Sequence, residues 1–137
     1  MIEHAVAEYL KTEATVTAYV GDHVYFVKAP ARAVRDVLPY ITVSKVSHLP
    51  SHSMGGDSGW INARIQIAAH SKDYMTGKLI IRAIRNLFKD YIEGNPTVLM
   101  GGVSWVQGIN VDTETDLFDY DSEWHTCNLD SFIMYQE

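Results

Sequence analysis

The sequence predicts an α+β fold: an antiparallel four-stranded β-sheet in the order β-β-α-β-β, with one long helix packed on it and a short N-terminal helical segment. Three observations predict it. From Ser71 to Gly94, apolar residues recur at Met75, Leu79, Ile80, Ala83, Ile84, Leu87, Phe88, Tyr91 and Ile92. That i, i+3, i+4, i+7 rhythm belongs to a helix burying one stripe. Two extended segments precede the helix and two follow it, rich in Tyr, Ile and Val, residues that suit a pleated, half-buried surface. A helix lying across a sheet buries both apolar surfaces at once.

The elements follow in chain order. Ile2 to Lys11 reads as a short helix, with Ile2, Ala5, Val6, Tyr9 and Leu10 on one face. Thr15 to Val20 adds a further turn, ended by Gly21-Asp22. His23 to Val27 is short and β-rich, and Ala29-Pro30-Ala31 breaks it. Leu38-Pro39 is a second break, because the residue before proline is pushed toward extended geometry. Tyr40 to His48 alternates as a strand. Leu49 to Gly59 holds a proline, three serines and three glycines, and reads as a loop.

Trp60 to His70 is the clearest strand. Ile61, Ala63, Ile65, Ile67 and Ala69 point one way, and Asn62, Arg64, Gln66, Ala68 and His70 the other. In the long helix, Ser71 is placed as N-cap with Asp73 in the first turn, and Gly94-Asn95-Pro96 as the stop. Val98 to Val111 is β-like, with Gly101-Gly102 as a bend or bulge. Asp112 to Glu123 reads as an acidic connector, and His125 to Tyr135 as the final strand. No repeat, heptad run or linker divides the chain, so residues 1–137 read as a single domain.

Composition excludes several classes. With 47% apolar residues in 137, the chain can bury a core without disulfides. It has one cysteine, Cys127, so no intrachain disulfide framework exists, which fits a reducing cytoplasm. The first residues lack the basic start and continuous apolar run of a signal peptide. No stretch nears the roughly 18 apolar residues of a membrane span. The net charge of −6 argues against ordinary nucleic-acid binding, but not against a surface past which DNA slides.

The candidate chemistry is thin. His48 and His52 have the i, i+4 spacing of a helical zinc pair, yet they flank Pro50 in a Ser/Gly loop, so a solvated loop is the stronger reading. Cys127 lies near His125, a nucleophile beside a base, but a lone cysteine is more often a small buried hydrophobe. Asp112, Glu114, Asp116 and Glu123 fall at places one, three, five and twelve of a calcium loop, while place six, normally glycine, is Leu117. A solvated hairpin connector or a negative docking surface fits better. Trp60, Trp105 and Trp124 read as packing residues or, if exposed on an edge, as interface anchors. There is no P-loop, GxGxxG or GxSxG, and no cofactor is called for.

Several passages resemble the tail-completion (tail-terminator, head-to-tail joining) proteins of long-tailed bacteriophages and prophages. They are Ala18-Tyr19-Val20-Gly21-Asp22-His23-Val24-Tyr25, Ala29-Pro30, Leu38-Pro39-Tyr40-Ile41-Thr42-Val43, and the polar glycine loop Met54 to Ser58. The strand with Arg64 and Gln66, the long helix and the last strand ending at Tyr135 complete the resemblance.

The resemblance implies a non-enzymatic virion subunit, made in the bacterial host's cytoplasm and residing at the head–tail interface. It implies a homo-oligomeric ring, often of six copies, that caps the tail tube protein and docks to the head–tail connector proteins. DNA passes through its lumen without specific binding, and no membrane is involved. Met54, Gly55, Gly56 and Asp57, together with Asp112, Glu114, Asp116, Asp119, Asp121 and Glu123, are then the candidate assembly or lumen loops. The rivals are another head–tail adaptor or minor tail subunit, a small enzyme using Cys127 and His125 or the acids, and a calcium-binding module.

Overall fold

Two helices open the chain, separated by Glu13 in an extended conformation. The computed structural model describes residues 2–21, 23–26, 39–53, 56–91, 98–100, 104–120 and 123–136. Helix α1, Ile2–Thr12, buries Ile2, Ala5, Val6, Ala7 and Leu10, close to the face its periodicity predicts. Helix α2, Ala14–Val20, buries Val16 and Val20. Gly21 ends it at φ 61°, and its N–H donates to the Thr17 carbonyl at 2.8 Å. That left-handed backbone is open to glycine without strain.

Six strands form one mixed sheet, in the order β1-β2-β3-β6-β5-β4. They are β1 Val24–Phe26, β2 Tyr40–Ser53, β3 Gly56–Ser71, β4 Val98–Met100, β5 Ser104–Phe118 and β6 His125–Gln136. The four long strands are the antiparallel set the sequence predicts, and β3 and β6 pair in unbroken register from Trp60↔Gln136 to Ser71↔His125. The expected four-stranded sheet is corrected at its edges. The short strand β1 pairs parallel to β2, and the short strand β4 pairs antiparallel to β5. Both fall within segments the sequence reads as β-rich, His23 to Val27 and Val98 to Val111, but three residues are too few for a period-2 signal to say where they pair, so tertiary pairing places them at the sheet edges.

Two further expectations change. Leu49 to Gly59 is not a loop: β2 runs to Ser53 and β3 starts at Gly56, with Leu49↔Asn62 and His52↔Asp57 paired. A bulge at Val46 in β2 and an irregularity over residues 58–60 in β3, opposite Ser51, absorb the irregular sequence. Pro50 is tolerated where β2 has run past its pairing with β1. Likewise Asp112 to Phe118 is strand rather than connector, because β5 stays paired with β6 through Phe118↔His125.

The long helix, α3, spans Tyr74–Tyr91. Ser71 is the last residue of β3, not the cap. Asp73 caps the helix: its carboxylate accepts from the Met75 N–H at 3.2 Å and from the Thr76 hydroxyl at 3.0 Å. The Ser71 hydroxyl accepts from the Asp73 N–H and so sets the turn between strand and helix. The proposed stop at Gly94-Asn95-Pro96 lies outside the described residues.

Helices α1 and α3 pack on one face of the sheet, and α2 packs against both of them. Ile80, Ile81, Ile84 and Phe88 of α3 and the buried face of α1 meet Ile41, Val43, Ala63, Ile65, Ile67 and Ala69 with Cys127, Leu129, Ile133 and Tyr135. Gly77 brings α3 close to β6: a Cβ there would lie 3.1 Å from the Cys127 sulfur. No described helix covers the other face. There Arg64 pairs with Asp130 at 2.8 Å, the Thr113 hydroxyl donates to the same carboxylate, and His70 lies between the Thr42 and Thr126 hydroxyls.

Candidate functional site

The sheet register decides where the two candidate loops lie. Gly56 and Asp57 open β3 at one end of the sheet, whereas Ser71, at the other end of β3, pairs with His125 beside the β5–β6 turn. Sixteen residues of strand, about 50 Å, separate the two tips. The candidate residues therefore form two surfaces at opposite ends of the subunit. Met54, Gly55 and Asp121 lie outside the described residues. His48 and His52 lie on β2 rather than in a loop.

The acidic residues divide by position. Bulges in β5 at Gln107 and Asp112 shift the register. As a result Glu114 and Asp116, paired opposite Leu129 and Cys127, stand on the helix-covered face. There they meet α3. The Arg85 guanidinium donates to Glu114 at 2.8 Å, and the Lys78 ammonium and Tyr74 hydroxyl donate to Asp116 at 3.2 and 3.1 Å. Desolvation pushes the Asp116 carboxyl up, but the bonds from Lys78 and Tyr74 outweigh it and hold the group below the usual carboxylate value. The same bond to Asp116 raises Lys78.

Asp112 lies exposed at its bulge. Asp119 and Glu123 form the turn. The Asp119 N–H donates to the Trp124 carbonyl, the Glu123 N–H donates to the Asp119 carbonyl, and Glu123 adopts φ 60°. The acids are thus strand and turn residues, four of them held by α3 or by the turn, rather than a loop wrapped around a cation. Among the described residues no three His, Cys, Asp or Glu side chains converge.

Cys127 is buried, and its thiol is pushed up to about 11 by burial, then by the nearby Asp116 charge. Such a thiol stays protonated at neutral pH and is a poor nucleophile. His125 packs its ring against Phe118 and Tyr74. Trp124 is buried against Tyr40 with the Lys72 ammonium over its ring, so packing is its role in the subunit.

The surfaces that stand out are apolar. At the tip of the β5–β6 hairpin, Leu117 and Phe118 are exposed and Tyr120 is 86% exposed, its ring edge-on to Phe118. On the opposite flank of α3 from β5, a groove of about 600 Å³ runs between α2 and α3, lined by Ala18, Tyr19, Leu79, Ala83 and Leu87 with Arg82 at its rim. Met75, 62% exposed, continues the stripe. The sequence reading places Met75 and Leu79 in the core stripe. In the fold that stripe rotates toward Gly77, Ile81 and Phe88 and leaves them outside. The available signal was Ile81: it falls off the expected stripe, so the apolar arc of α3 is wider than one buried face needs.

No helix among the described residues is long and apolar enough to cross a membrane. No curated protein matches the chain by sequence. A protein chain in the virion of a native gene transfer agent (GTA) particle has a similar structure, with TM-score 0.76 and 15% identity over 99% of this chain and 95% of that one. At that identity the likeness is one of fold. Residues 4–136 match the family described as tail completion protein gp17, so the chain belongs to that family and is a virion component of the phage tail.

Proposed function

We propose that this chain is a non-enzymatic assembly subunit that forms a ring, of six copies, at the head-proximal end of the tail tube. The ring terminates the tail and joins it to the head connector, and DNA passes through the lumen. The observation that carries the reading is the family match across residues 4–136, nearly the whole chain. Residues 1–137 act in it as one domain.

The geometry is in keeping with the role. The two hairpin tips, one with Gly56 and Asp57 and the other with Asp119 and Glu123, project from opposite ends of the sheet. A subunit joining two structures needs two such ends. One tip meets the tube or connector and the other borders the lumen. The net charge of −6 suits a channel that repels rather than holds the DNA backbone.

Light scattering with negative-stain imaging across a concentration series tests the proposal, first on the protein alone and then with purified tail tubes. A closed ring, free or seated on tube ends, is the expected result. A monomer in both settings would reject the ring.

A further inference from the structure

The subunit carries two exposed apolar surfaces of opposite shape. The β5–β6 hairpin tip is convex, with Leu117, Phe118 and Tyr120 outermost. The α2–α3 groove is concave, lined by Tyr19, Leu79 and Ala83. Their charges are complementary. The hairpin presents Asp112, Asp119 and Glu123 in exposed positions, beyond the two acids already paired with Lys78 and Arg85. Helix α3 is the basic element, with Arg82 lining the groove and Lys89 exposed about two turns on.

The tip does not fill its own groove. Lys78 and Arg85 on one flank of α3 hold β5, whereas Ala83 and Leu87 on the other flank face α2, with Leu79 and Arg82 on the outer ridge that borders both sides. The helix therefore stands between them, and the matching surface must come from another molecule.

We propose that the β5–β6 hairpin tip of one copy seats in the α2–α3 groove of a second copy, with Tyr120 as the anchor and Arg82 meeting the acidic turn. Two different patches on one chain make a heterologous contact, which closes into a ring when the rotation allows. An exposed tyrosine on one copy set against an apolar recess on the next is the kind of pair that dominates interface energetics. The inference rests on the ring reading above and assigns its subunit contact.

Tyr120→Cys protein is mixed with Leu79→Cys protein and mildly oxidised; Cys127 is buried and does not compete. The mixture is expected to give a disulfide-linked dimer that neither variant gives alone, and a chain carrying both substitutions a ladder of covalent multimers. Tyr120→Ser should raise the concentration midpoint of ring formation at least about tenfold, with an unchanged melting temperature. Rings that form while the mixture stays uncrosslinked would overturn this contact and leave the ring reading standing. Self-crosslinking of Tyr120→Cys alone would also overturn it, because that contact is two-fold. Absence of rings with and without tail tubes would remove both readings.

Discussion

The two faces of the sheet share one alternation and differ in everything that fills it. On the helix-covered face, Ile41, Val43, Ile65, Ile67 and Leu129 are fully buried against α1 and α3; the ion pairs lie at the rim, where Glu114 and Asp116 meet Arg85 and Lys78, and the Ser131 hydroxyl is buried among the apolar side chains. On the other face, order comes from hydrogen bonds. Arg64, Asp130 and Thr113 form one network, and Thr42, His70 and Thr126 another. The first face is stabilised by area and packing, the second chiefly by side-chain hydrogen bonds, although Arg64 Nε and Asp130 Oδ1 are buried without a hydrogen-bond partner; the two respond to different insults.

The largest separation between them is expected from Phe88→Ala. Phe88 is 1% exposed under α3. Its truncation should cost about 3–5 kcal/mol in urea unfolding, independent of pH. A loss below about 1 kcal/mol would mean that the helix is not the main support of that face.

Acid should act on the second face. Burial lowers His70 from 6.5 to about 4. The unfolded chain thus takes up a proton near pH 6.5 that the folded chain resists until about pH 4. Stability falls as pH drops through this window, by roughly 3 kcal/mol when both states are protonated. His70→Asn should flatten the pH dependence between pH 6.5 and 4, and an unchanged slope would show that another group carries it. On the same face, Asp130→Ala should cost about 1 kcal/mol, because it removes the part-buried bonds from the Thr113 hydroxyl and the Arg64 guanidinium. Asp130→Asn should recover part of the loss if hydrogen bonding rather than charge holds the network.

The smallest effect is expected at the rim. The Lys78–Asp116 pair is more than a third exposed on average, so Asp116→Asn should change stability by less than about 1 kcal/mol and remove a salt-dependent part of it. A larger effect would place the pair within the first face rather than at its edge.

Much of the first face was legible in the sequence. The alternation of Ile61 to Ala69 and the period of α3 specify which residues turn inward, because burial enforces period 2 in a strand and 3.6 in a helix. The α+β class and the four long antiparallel strands follow from them. The candidate site was read less well. Glu114 and Asp116 looked like loop acids because their local composition is polar, and their pairing with α3 depends on bulges in β5 that only the β6 register reveals. Met75 and Leu79 looked like core residues, since periodicity counts apolar positions and does not report which part of a wide arc meets the sheet.

The sequence by itself determined the class of fold, the long helix, the alternating strands and, through short motifs along the chain, the family. Local periodicity carries that information because each element must bury its own apolar side. Tertiary structure alone decided where the two short edge strands pair, the conversion of Leu49–Ser53 and Asp112–Phe118 into strand, the cap at Asp73, and the placement of the two hairpin tips at opposite ends. Each of those depends on hydrogen bonds or contacts between residues distant in the chain. Such pairings override local propensity once the partner strand is in place.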